Sequence, residues 1–150
     1  MKNKLIYSNF DPETGISTVT IQNKYGHFTG TAKLDEEDKK HPSKFQGCEY
    51  AESKAVIEYL NKRIALLKTE NKGLMNCYSE MKQSSHFNKD SYEAKTIRKQ
   101  IWTRCTKIME LIEEKGKIQN RMDKIIAERA VSAKHLDRHR NKIQLKGKED

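Results

Sequence analysis

From residue 48 to the end of the chain, a single stretch, Gln83-Ser84-Ser85-His86-Phe87-Asn88-Lys89-Asp90, breaks an otherwise sustained helical periodicity. Upstream, Ala51, Ala55, Val56, Tyr59, Leu60, Ile64, Leu67 and Leu74 recur at 3.6-type spacing. They predict one helix from about Cys48–Tyr50 to about Lys82, passing over Gly73. Downstream, Ile101, Ile108, Lys115, Met122, Arg129 and Leu136 lie at seven-residue steps. Ile97, Arg104, Leu111, Ile118 and Ile125 form a second row, and Cys105, Ile112, Ile126 and Ala133 a third. That stripe is broader than a two-stranded coiled coil needs. It predicts a helical hairpin that packs with partner chains. Asp90 or Ser91 is the expected N-cap of the second helix, with Glu93 placed to favour its dipole. Gly116 is a potential kink.

The first 34 residues follow a different period. Leu5-Ile6-Tyr7 precedes the turn signal Asp11-Pro12-Glu13-Thr14-Gly15. Ile16 to Ile21 is rich in β-branched residues, with Ser17, Val19 and Ile21 on one face. Asn23-Lys24-Tyr25-Gly26 reads as a hairpin turn. His27 to Leu34 is the third strand, with Phe28, Gly30, Ala32 and Leu34 on one face. A three-stranded meander has too little core of its own, so its apolar face must be buried by a helix or another subunit. The fold class is therefore α+β: a small N-terminal antiparallel β-sheet followed by two long C-terminal helices, oligomeric. The expected division is a β head over 1–47 and a helical hairpin over 48–150 with a basic C-terminal tail. Residues 35–43, polar and ending in Pro42-Ser43, form the expected loop or short helical turn.

Hydrophobic residues make up 35% of the chain and charged residues 34%, which suits long helices with one buried stripe better than a large monomeric core. The formal net charge is +9, and residues 115–150 hold eleven Lys or Arg against five Asp or Glu. Such an excess favours anionic partners, although a solvated basic helix face is the commoner meaning of such a run. Cys48, Cys77 and Cys105 are odd in number and widely spaced, which argues against a disulfide framework or a zinc site and for a reduced, intracellular protein. The expectation is no cofactor, no membrane span and no signal peptide.

Enzyme signatures are lacking: there is no P-loop, no Rossmann fingerprint and no G-x-S-x-G. His135 and His139 have metal-capable spacing but no third ligand nearby, so they read as surface histidines. Cys48, near a helix start, reads as structural for want of a paired base. The suggestive group is Phe87, Asn88, Tyr92, Lys95, Arg98, Trp102 and Arg104. Rings that stack a base, cations and a helix N-terminus together suit a nucleotide diphosphate. Phe28, beside the bare backbone of Gly30, is the expected contribution from the sheet. The plainer alternative makes Phe87 and Trp102 packing anchors and leaves Lys95 and Arg98 solvated. Arg104 interrupts an apolar row and needs an acceptor: Glu110, a glutamate of another chain, or a phosphate.

Tyr25-Gly26-His27-Phe28-Thr29-Gly30-Thr31-Ala32, the acidic 35–38 patch, Phe45-x-Gly47-Cys48 and Tyr50-Ala51-Glu52-x-Lys54-Ala55 resemble the phage-encoded Thoeris anti-defence sponge proteins of the first described class. The order of elements is similar too. The resemblance implies a non-enzymatic protein, acting in the cytoplasm of an infected bacterial host. It would bind and sequester a cyclic ADP-ribose-type signalling nucleotide without degrading it, suppressing Thoeris defence. It further implies a homo-oligomer (dimer or higher) with interfacial pockets, and separate sites for cyclic oligonucleotides. By position it points to Phe28 and Arg98. The chain departs from the pattern at Lys54, where arginine is expected, and in the basic segment after Lys134. Two alternatives stand beside it: a basic coiled-coil phage protein that binds nucleic acid, and a structural oligomer without a small ligand.

Overall fold

A computed structural model describes residues 2–34 and 44–149, with side chains over 2–34 and 46–128. The architecture is α+β. Strands β1 (Lys4–Asp11), β2 (Ile16–Asn23) and β3 (Gly26–Lys33) form an antiparallel sheet in the order β1-β2-β3. Helices α1 (Lys44–Lys82) and α2 (Tyr92–Glu149) follow. The chain divides into two compact units, residues 1–58 with 118–150, and residues 59–117.

The turns of the first unit follow from local chemistry. Asp11 Oδ1 accepts the Glu13 N–H at 2.9 Å, and the Asp11 carbonyl accepts the Gly15 N–H at 2.8 Å. Gly15 adopts φ +71°, which its lack of a Cβ permits. At the second turn Asn23 Oδ1 accepts the Tyr25 N–H at 2.8 Å, an Asx turn. Leu5 pairs with Ile21 and Tyr7 with Thr20, so Ile6 is a bulge in the edge strand.

The expected sheet face is the one buried. Ser17, Val19 and Ile21 are buried on the central strand, as are Phe28 and Gly30 on β3 and Leu34 just after it. Val19 sits opposite Gly30 and Ile21 opposite Phe28. The bare position beside Val19 admits α1. A Cβ on Gly30 would lie 2.6 Å from the Ala55 amide nitrogen and closer still to the Ala51 carbonyl oxygen. Ala51 and Ala55, one turn apart and fully buried, complete this contact between small residues. A Cβ on Gly47 would lie 2.5 Å from Ser17 Oγ. Helix α1 therefore starts at Lys44, earlier than the periodicity alone indicates, because Gly47 is a packing residue within the helix and not a stop. Met122 and Ile125 of α2 are buried in the same unit.

In the second unit the two helices run antiparallel. Glu70 and Asn71 meet Arg104 and Cys105, whereas Tyr78, two turns further along α1, meets Arg98, nearly two turns back along α2. Tyr59, Leu60, Ile64, Ala94 and Leu111 are its buried apolar residues. The break falls where expected, and Ser91 is the N-cap: its Oγ accepts the Ala94 N–H at 3.2 Å. Neither Gly73 nor Gly116 interrupts a helix. No helix among the described residues is long and apolar enough to cross a membrane. The 35–43 loop and the side chains of His135 and His139 lie outside the described residues.

Candidate functional site: a cationic cleft on the second helix

Helix α2 spaces Tyr92, Lys95, Thr96, Lys99, Gln100, Thr103 and Arg104 at i, i+3, i+4 and onward, so one face gathers them all. They line an open cleft of about 480 Å³ along this single helix face. Tyr92 is 83% exposed and stands at the helix N-terminus. The side chains of Lys95 and Lys99 have no hydrogen-bond or ion-pair partner among the described residues.

The other cleft residues are committed in part. Thr96 donates its hydroxyl to the Tyr92 carbonyl at 2.7 Å, and Thr103 to that of Lys99 at 2.8 Å. Arg104 Nε donates to Glu70 Oε2 at 3.1 Å. The acceptor for Arg104 is thus Glu70 of α1, not Glu110, which pairs with Lys107 at 3.4 Å. Glu70 balances Arg104 alone, and Lys95 and Lys99 are unpaired, so the cleft retains positive charge. Its chemistry fits an anion carrying a ring that stacks on Tyr92.

A second cluster joins Phe87 and Arg98 through a residue that the sequence does not single out. Arg98 donates to the Tyr78 hydroxyl at 3.0 Å, and its guanidinium lies 5.9 Å from the Tyr78 ring centroid. Phe87 meets the same ring edge-on at 5.9 Å and 81°. Lys82 Nζ stands 4.8 Å over it. The signal available in the sequence was the i, i+4 step from Tyr78 to Lys82.

The expected set therefore disperses. Tyr92, Lys95 and Arg104 share the cleft, joined by Lys99. Lys95 and Arg98 are three residues apart, yet Lys95 lines the cleft while Arg98 is held at Tyr78. Asn88 Oδ1 accepts the Asp90 N–H at 3.0 Å and shapes the turn. Trp102 is 70% exposed and lines neither group. Phe28 belongs to the other unit and is only 3% exposed. The close neighbour that Gly30 admits is the α1 backbone, which occupies the expected slot beside Phe28. Among the described residues, no cluster of three or more His, Cys, Asp or Glu is fit to hold a metal ion. All three cysteines are free thiols.

Comparisons with protein-family models, curated proteins and solved structures find no match to the chain.

Proposed function

We propose that this protein binds and sequesters a cyclic ADP-ribose-type signalling nucleotide without chemical change, and so suppresses a Thoeris-type defence in the host cytoplasm. The observation that carries the proposal is the α2 cleft: an exposed tyrosine ring beside two unpartnered lysines and a positioned arginine. A pyrophosphate supplies acceptors for such cations, and a purine supplies a face for Tyr92. The resemblance of residues 25–55 to the sponge proteins supplies the ligand class.

Isothermal titration with cyclic ADP-ribose isomers tests this reading. Charge-assisted hydrogen bonds contribute about 1.5–3 kcal/mol, so Lys95→Gln/Lys99→Gln should weaken binding at least about tenfold. Tyr92→Ala should weaken it as well. Raising salt from about 50 to 200 mM should reduce nucleotide affinity only modestly, whereas binding through many nucleic-acid phosphates would fall by orders of magnitude. Unaltered affinity in both variants would remove the cleft from the account. Tight, steeply salt-dependent binding of duplex DNA alone would favour the nucleic-acid alternative.

A further inference from the structure

A buried asparagine is costly unless its whole amide is paired. Asn71 is only 4% exposed. Its Nδ2 donates to the Cys105 sulfur at 3.0 Å, while its Oδ1 is buried without a partner. One edge of the amide therefore holds the sulfur, and the acceptor beside it is unused. A thiol matches such an amide poorly, because its sulfur is a weak acceptor and its S–H a weak donor. We infer that Cys105 is a site of reversible oxidation, taking one oxygen from a hydroperoxide to form a sulfenic acid that Asn71 holds.

A sulfenic acid supplies what the thiol lacks. Its hydroxyl is a donor placed one bond beyond the atom that Nδ2 already holds. The S–O–H group and the amide then pair at two points, Nδ2–H to the sulfur and O–H to Oδ1. Oxidation thus gives a buried acceptor its missing partner. The step balances. The Cys105 sulfur attacks the terminal oxygen of the hydroperoxide, so an S–O bond forms as the O–O bond breaks. The O–O electron pair leaves with the departing oxygen, which takes the thiol proton and becomes an alcohol, or water where the oxidant is hydrogen peroxide. The sulfur loses two electrons and the peroxide gains them.

The surroundings hold the reaction at this stage. Cys105 is half-buried, so a small oxidant has access while the product is shielded in part. Cys77 is the other thiol of this unit. It lies six residues beyond Asn71 on α1, about 9 Å along the helix, which is outside disulfide reach of Cys105. Condensation to a disulfide with Cys77 is therefore closed to the sulfenic acid.

The test uses the full chain. It is treated with hydrogen peroxide, freed of oxidant and labelled with dimedone, which reacts with sulfenic acids. Label at each cysteine is then quantified by peptide mass spectrometry. Cys105 should carry more label than Cys77, although Cys77 is the more exposed. Alkylation of the reduced protein with iodoacetamide should run in the opposite order, following exposure. Dithiothreitol before dimedone should remove the label. Asn71→Leu should lower label at Cys105 on the order of tenfold, as the loss of one buried hydrogen bond allows, with unchanged far-UV circular dichroism. Asn71→Ala serves should that variant misfold. The inference is overturned if Cys105 takes no label, if Cys77 takes more, if dithiothreitol leaves the label in place, or if label at Cys105 is unchanged in the folded Asn71 variant. Oxidation needs no nucleotide, so this outcome is independent of the cleft.

Discussion

Replacing Gly30 with alanine tests the packing on which the head depends. The new methyl would stand 2.6 Å from the Ala55 nitrogen and closer still to the Ala51 oxygen. Both are backbone atoms of α1, so no rotamer change relieves them. An ordinary contact needs about 3.5 Å, so relieving the Ala55 contact alone takes roughly 1 Å of separation between β3 and α1, and the Ala51 oxygen demands more. Separation loosens the layer formed by Val19, Ile21 and Phe28. Overpacking costs about 1–3 kcal/mol, and the rigid partners here place Gly30→Ala at the upper end. For a chain of this size each kcal/mol moves Tm by about 2–4 °C, giving a fall of about 6–12 °C. Gly73→Ala is the control of opposite sign. Its Cβ would meet nothing within 4 Å, and removing a mid-helix glycine should stabilise by about 0.5–1 kcal/mol. Thermal melts by circular dichroism, with hydrogen exchange at β2 and β3 amides, read both variants. A Gly30→Ala protein with parental Tm and parental exchange protection would refute the tight β3–α1 contact.

Two other changes probe the helical unit. Asn71 is buried, with Oδ1 unpartnered and Nδ2 donating only to the Cys105 sulfur at 3.0 Å. Asn71→Leu should therefore stabilise by about 1 kcal/mol in chemical denaturation, since it removes an unpaired buried acceptor; a loss of stability would contradict that reasoning. Ser91→Ala removes the α2 N-cap and should cost about 1 kcal/mol, visible as faster exchange at the Ala94 amide.

Periodicity made the fold legible. The β-branched run and the 3.6 spacing report buried faces directly, and Val19, Ile21, Leu60 and Leu111 are buried where they imply. The start of α1 was less legible, because the apolar 3.6 spacing begins only at Ala51, whereas Gly47 in the first turn serves close approach to Ser17. Gly30 illustrates the ambiguity more sharply. A strand glycine announces a near neighbour without naming it, and here the neighbour is a helix. Gly30, Gly47, Ala51 and Ala55, which carry much of the resemblance to the sponge proteins, are thus packing residues of the sheet–helix contact. The candidate site was half legible. Residue chemistry singled out Tyr92, Lys95 and Arg104 among others, and helical spacing put Lys95 with Arg98, but neither revealed that Tyr78 would hold Arg98 away from Lys95. Pairing across a hairpin depends on its register, which spacing within one helix does not contain. Glu70 and Tyr78 on α1 entered for that reason.

Capture without chemistry is the central claim, and release by heat tests it most directly. The protein is incubated with a cyclic ADP-ribose isomer, freed of unbound ligand, and denatured by heating. The supernatant is then analysed by chromatography and mass spectrometry. The account predicts recovery of unaltered nucleotide in a fixed ratio to protein, and loss of that recovery in Lys95→Gln/Lys99→Gln. Recovery of a hydrolysed or rearranged product, or of no nucleotide at all, would contradict it.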